Sequence, residues 1–251
     1  MECKNCNTSL LETSKYCPNC SAKVINNRLT LKHVIEEFFT AFICWDNKFL
    51  KTVVNLFKQP KHVVDSYLSG VRKRYMQPFA FMVVALTIYG VYMYFSKDEV
   101  LEYLDLISKD LETTSENAKY SEFSKKSTEF AINYFNIGTF GSIPFLALLN
   151  LMIFKTKNFI EHCIILFYVY ANYILGYAII GFIGLLFNIS FTYIYPLTII
   201  LMLVYHMYAY QKIFELSFFK IIIKTILFWV LITIIFIIFS MILAFALYFL
   251  K

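Results

Sequence analysis

Charge is what this sequence has least of. Only 16% of its 251 residues are charged while 59% are hydrophobic, and the mean hydropathy is +0.61, whereas soluble domains carry roughly 25% charged residues. That deficit excludes an ordinary water-soluble globule. No secretory leader is expected either: in place of a short basic stretch followed directly by an apolar run stand paired cysteines, asparagines and lysines, so the first residues are expected to stay in the cytosol. No Gly-rich phosphate loop, Ser and His nucleophile arrangement or His-Glu-x-x-His metalloprotease signature occurs in the chain. The reading is therefore non-enzymatic. Nor is an inverted repeat evident, of the kind from which many transporters are built.

What is present falls into three zones: a zinc ribbon expected over 1–27, cytosolic amphipathic helices over 28–77, and a helical transmembrane domain over 78–251. In the middle zone Leu29, Val34, Phe38, Phe39 and Phe42 recur at helical spacing between Lys32, Glu36 and Glu37, which predicts an amphipathic helix too charged to span a bilayer. A second helix is predicted from Phe49 to Phe57, with Asp46 as its N-cap. A third opens at Pro60 and ends before Gly70, residues suited to a first helical position and to the end of a helix.

Crossing about 30 Å of hydrocarbon takes about 17 to 25 apolar residues. Five runs qualify, at about 78–95, 137–154, 163–187, 191–210 and 221–250, with Pro144 and Pro196 inside the second and fourth. The segment 96–130 interleaves Leu101, Leu104, Ile107 and Leu111 with acids and is read as an extracytoplasmic helix. The expected fold is thus an all-α integral membrane protein of about five transmembrane helices. Residues 1–77 carry twelve Lys and Arg, 155–161 two and 211–224 three; the other side carries six, beside nine acids in its long loop. Lys and Arg accumulate on the cytoplasmic side, which places the N-terminus inside and the C-terminus outside. The Arg72-Lys73-Arg74 cluster before the first span reads as a topology anchor at the anionic headgroups.

Cys3-x2-Cys6, ten residues, then Cys17-x2-Cys20 is the spacing of two thiolate knuckles that converge on one tetrahedral ion. Pro18 stiffens the second turn. The competing arrangement, two disulfides, needs an oxidising compartment, contrary to the cytosolic placement. Four thiolates close the shell, so the expected cofactor is a structural Zn2+. The loop from Asn7 to Tyr16 holds one Lys and one Glu, without the basic and aromatic surface that nucleic acid requires. Cys44 and Cys163 fall outside the pattern and read as apolar residues.

At Arg28-Leu29-Thr30, Glu36-Glu37-Phe38-Phe39, Trp45-Asp46-Asn47-Lys48-Phe49 and the run from Tyr67 to Tyr75, the chain resembles the bacterial membrane family catalogued as domain of unknown function 3667. The resemblance covers about the first 85 residues. It implies a multi-pass protein of the bacterial inner membrane with an N-terminal zinc ribbon, and supplies no catalytic residues. Ser21 departs from it, standing where the family more often has glycine.

Within the spans, His206 among Tyr205, Tyr208 and Tyr210 is either a functional residue at membrane depth or part of the interfacial aromatic belt, and the belt is the preferred reading. Asn150 and Asn172 suit interhelical hydrogen bonds, and Ala171, Ala178, Gly181 and Gly184 suit close helix approach. His33 with Glu36 or Glu37, and His62 with Asp65, offer too few ligands for a metal and read as solvated helix faces. The leading functional expectation is a module that docks a cytosolic protein partner or assists assembly, anchored in the lipid bilayer. The alternative is a small-solute transporter or channel near His206, Asn172 and the prolines.

Overall fold

The computed structural model of the protein describes residues 2–11, 13–21, 24, 48–111 and 132–249. The first amphipathic helix, the His33 and Asp46 readings and Cys44 lie outside those residues. The chain divides into two compact units, 1–47 and 48–251.

Seven helices form the second unit among the described residues: α1 (Lys48–Lys58), α2 (Pro60–Leu68), α3 (Pro78–Leu111), α4 (Phe135–Phe154), α5 (Phe159–Leu186), α6 (Phe191–Phe214) and α7 (Phe218–Phe249). Five, α3 to α7, are long and apolar enough to cross a membrane, so the protein is an all-helical multi-pass membrane protein. An α-helix is the natural spanning element because it satisfies its backbone groups internally where no water is available. Pro144 and Pro196 sit inside α4 and α6 without ending them.

The helix termini are chemically marked. Pro60 starts α2 at a position where its missing N–H costs nothing. At the other end Gly70 adopts φ +94°, Gly70 N–H donates to Tyr67 O (3.1 Å) and Val71 N–H to Ser66 O (2.9 Å), a Schellman closure in which the glycine takes the left-handed residue. Asn158 and Glu161 form a reciprocal capping box at the start of α5, with bonds of 2.9 and 2.8 Å.

One element departs from the sequence reading. The expected extracytoplasmic helix after Ser96 is not separate from the first span: α3 runs unbroken through 34 residues, about 51 Å at 1.5 Å per residue. No Gly or Pro lies between Phe95 and Leu111, and the apolar spacing of Leu101, Leu104 and Ile107 keeps the helical period of the span before it. Residues 112–131 lie outside the description.

α1 and α2 do not stand apart from the spans. Leu56, Val63 and Val64 are fully buried in the same core as Phe81, Ile165, Ile174 and Tyr210. A polar chain ties the corner together: Met76 N–H donates to Thr52 Oγ1 (3.0 Å) and Tyr168 OH to Met76 O (2.7 Å), linking α1, the start of α3 and α5. Tyr205 and Tyr208 of α6 donate to Leu56 O and Lys58 O at 3.5 and 3.2 Å. Lys157, before α5, meets Asp65 at 3.5 Å, and Lys61 meets Glu215 of the α6–α7 link at 2.5 Å. Lys61 holds the Glu215 carboxyl below its ordinary value, and the same hydrogen bond raises Lys61. The α1–α2 pair and the α4–α5 and α6–α7 links therefore share one end of the bundle.

α5 lies at the centre, with the largest buried share of any span. Its small residues explain how neighbours reach it. Ala171 and Ala178 are fully buried; a Cβ placed on Gly181 would come within 2.3 Å of the Tyr92 ring of α3, and one on Gly184 within 2.0 Å of Ile194 Cδ1 of α6. Glycine to alanine ordinarily favours a helix, but at 181 the added carbon needs space held by a fully buried ring. Gly181→Ala is expected to destabilise the detergent-solubilised protein by about 1–3 kcal/mol, measured as a lowered midpoint of thermal aggregation, while Gly176→Ala, where no atom lies within 4 Å of the added carbon, leaves the midpoint unchanged or raises it.

Candidate metal centre

In the first unit the two cysteine pairs are held by matching turns. Asn7 N–H donates to Cys3 O (2.8 Å) and Ser21 N–H to Cys17 O (2.9 Å), and Asn7 and Ser21, each following the second cysteine of its pair, both adopt left-handed backbone at φ 55° and 59°. The turns reverse the chain so that both sulfurs of a pair point to a common centre. Glu2 pairs with Ser9 in an antiparallel bridge. Buried Cys3, Leu10 and Cys17, with Cys6, Cys20 and Val24 packed against them, form the whole described core of the unit.

All four Sγ atoms lie within 4.8 Å of one another. The closest pairs cross between the turns, Cys3 with Cys20 and Cys6 with Cys17, each at 3.6 Å. A disulfide requires about 2.05 Å, and none of the four cysteines is in one. Sulfurs bound at about 2.3 Å to a tetrahedral ion stand about 3.8 Å apart. The arrangement fits a metal ion held by Cys3, Cys6, Cys17 and Cys20.

The electrostatics point the same way. Thr8 Oγ1 lies 3.2 Å from Cys6 Sγ and is itself oriented by Asn19 Nδ2 at 3.1 Å; this hydroxyl lowers the Cys6 thiol to about 6. Cys17 behaves oppositely. Although the Cys20 backbone N–H favours its thiolate, burial and the adjoining Cys6 and Cys20 sulfurs leave it raised to about 11. One thiolate forms readily and further negative charge is resisted, a repulsion that a divalent cation at the centre removes.

Among the described residues, the others singled out in the sequence do not assemble a second metal site. His62 is occupied by Tyr75 OH (2.9 Å) and Arg74 (3.3 Å), while Asp65 turns to Lys157. Arg72 lies over the Tyr67 ring at 5.4 Å, which fixes part of the basic cluster beside the first span. Asn150 donates to Tyr210 OH (2.6 Å) and Asn172 to Tyr205 OH (2.9 Å), interhelical bonds from α4 and α5 to α6, each leaving its Oδ1 without a partner. His206 is buried rather than placed in an interfacial belt, with its ring 4.1 Å from Tyr210 and 5.3 Å from Phe228. A belt residue faces the headgroups; this one faces the bundle. His162, which sequence reasoning passed over, is fully buried with both ring nitrogens unpartnered and stacks on Phe214. Its place in the first turn of a long span, beside Glu161, carries no periodic signal that separates it from a solvated histidine.

Comparison with known proteins adds one finding. Residues 46–90 match the family described as "Protein of unknown function (DUF3667)". The match takes in α1, α2, the basic cluster and the first 13 residues of α3 (78–90), and agrees with the resemblance carried by the Trp45 and Tyr67 stretches. No curated protein and no solved structure matches the chain.

Because a four-cysteine centre folds with its ion, metal content reports on the whole site. The purified protein is expected to carry about one metal ion per chain by elemental analysis, and Cys17→Ser with Cys20→Ser to carry none. Ser21→Gly relieves a left-handed backbone that costs a side chain about 1 kcal/mol and is expected to make the ion about fivefold harder to remove in a chelator competition.

Proposed function

We propose that this is a non-enzymatic multi-pass protein of a bacterial inner membrane whose N-terminal cysteines hold a structural Zn2+, and that the resulting zinc ribbon and the amphipathic helices serve on the cytosolic face as a docking or assembly module. The observation that carries the reading is the closed four-sulfur shell. Zinc with four protein ligands has no position left for water or substrate, so such a site organises chain rather than reacting. A folded, water-exposed unit with no reactive position suits a surface that a protein partner recognises.

The orientation is supported by the grouping of the bundle's ends. The end that gathers α1, α2 and the two links holds twelve Lys and Arg and three acids across 48–77, 155–161 and 211–224, whereas 96–111 of α3 holds two Lys and five acids. Retention of Lys and Arg in the cytosol favours the first end as the inner one. No run long enough to span lies between Cys20 and α1 in the sequence, which supports the same side for the cysteines. A small-solute transporter has less support: proline-broken helices would favour it, and α4 and α6 run through their prolines intact.

The test compares the full chain with a variant lacking residues 1–27 and with the Cys17→Ser, Cys20→Ser variant, each purified from native membranes. A protein recovered in stoichiometric amount with the full chain and lost from both variants is the expected result, with alkaline phosphatase fused after residue 189 active in all three. Identical co-purifying sets would overturn the docking role, and an inactive fusion would reverse the orientation.

A further inference from the structure

Between α4, α5, α6 and α7 lies a cavity of about 220 Å3. His206, Tyr210, Phe228, Trp229, Tyr170 and Ser142 are among the side chains that line it, and none of the lining residues is charged. Counted along their helices, His206 lies eight residues before the end of α6 and Trp229 eleven after the start of α7, about 12 and 16 Å from the basic end at 1.5 Å per residue. Both lie within helices long and apolar enough to span.

Two nitrogens at this depth have no hydrogen-bond partner: Nε2 of His206, a residue only 8% exposed, and the buried Nε1 of Trp229. Leaving such groups unpaired in an apolar medium is costly. The indole N–H is a donor only, so its partner must be an acceptor. No carboxylate lines the cavity, so nothing there neutralises a cation, and the partner is a neutral molecule. The lining is largely aromatic: the His206 ring stacks against Tyr210 at 4.1 Å (12°) and Phe228 at 5.3 Å (25°), with Trp229 at 6.3 Å (61°). Aromatic side chains around an apolar space suit a flat ring, and an apolar cavity of about 150 Å3 already admits benzene.

We propose that this cavity binds the ring of a neutral, lipid-soluble molecule bearing carbonyl oxygens, the chemistry of a quinone headgroup, with the Trp229 N–H donating to one oxygen and His206 Nε2 facing the same ring. Neither nitrogen is needed for the docking role, and the site stands or falls independently of it.

The chain has two tryptophans, so Trp45→Phe leaves Trp229 as its single indole reporter. That variant, full length in lipid nanodiscs, is titrated with decylbenzoquinone while Trp229 emission is followed, and decylbenzene is added as competitor. Saturable quenching, not displaced by decylbenzene and weakened at least tenfold by His206→Phe, is the expected result. Ser142→Leu, which narrows the cavity from α4 and leaves both nitrogens in place, is expected to weaken binding as well. Quenching that rises linearly with probe and is equal in all variants would mean partition into lipid and would overturn the site. Displacement by decylbenzene would reduce it to an apolar void, and no response to the probe, with the nitrogens bridged by water, would overturn it equally. Should both substitutions prevent folding, the competition on the Trp45→Phe protein decides alone.

Discussion

In a bilayer no hydrophobic effect draws one helix to another, because lipid tails are as apolar as leucine. This bundle therefore depends on how closely its helices can approach α5. Tyr92 occupies the space above Gly181 and Ile194 the space above Gly184, so α3 and α6 gain dispersion contacts that any larger residue would forbid. Tyr92 in turn packs edge-on against Tyr177 and Phe182. The aromatic content of the chain, 19%, has a structural use here: large flat side chains from the neighbours fill the hollows that small residues leave on the central helix.

At the basic end the same dependence continues in polar form. Thr52, Met76 and Tyr168 make one chain of hydrogen bonds through the corner where α1 and α3 meet α5, and Tyr205 and Tyr208 reach the last backbone carbonyls of α1. These carbonyls belong to the C-terminal turn of a helix, where four acceptors lack intrahelical partners. Phenol hydroxyls from a spanning helix supply donors, so α1 is seated by groups that would otherwise need water. The exposed Leu50, Val54 and Phe57 of α1 share another face of the helix, with Lys48, Lys51 and Lys58 beside them. An apolar face flanked by lysines is the pattern of an interfacial helix, here on a segment whose other face is continuous with the core of the spans.

The spans and the cysteine centre were legible in the sequence for the same reason: each rests on a local signal. A run of apolar residues needs no partner to be recognised, and two Cys-x2-Cys turns carry their ligand spacing within 18 residues. Gly70 was legible as a helix end because only the left-handed region lets the chain turn there. The continuation of α3 past Phe95 was not, since hydropathy marks where a helix leaves hydrocarbon and says nothing about where it stops being a helix. Ser21 was noted as a departure from family pattern, and the left-handed backbone it adopts explains why glycine suits the position. Asn150 and Asn172 were expected to bond between helices, but their partners, Tyr210 and Tyr205, lie 60 and 33 residues away in sequence, beyond any periodicity. His206 was read as interfacial from its tyrosine neighbours, while its surroundings are set by α7, which contributes Phe228 and Trp229 from beyond the next link.

The polar groups buried among the spans separate into two kinds by what surrounds them. Asn150 and Asn172 each spend one donor on a tyrosine of α6 and join two helices, so the remaining Oδ1 is the cost of a bond already made. His162 has no bond, and its ring stacks on Phe214. Packing accounts for Asn150 and His162; Asn172, with its Oδ1 unpaired, also borders a cavity of about 300 Å3, but its amide is already engaged by Tyr205. His206 and Trp229 differ in that their unpaired nitrogens occur together, on adjacent helices, around a common space that the bundle leaves open. Close packing would have filled that space with one more methyl-rich side chain, as it does around Ala171 and Ala178. A cavity is tolerable in an apolar core and an unpaired nitrogen is tolerable at a helix contact; the coincidence of a cavity with two unpaired nitrogens, among aromatic side chains, distinguishes a place shaped for an occupant from a packing defect.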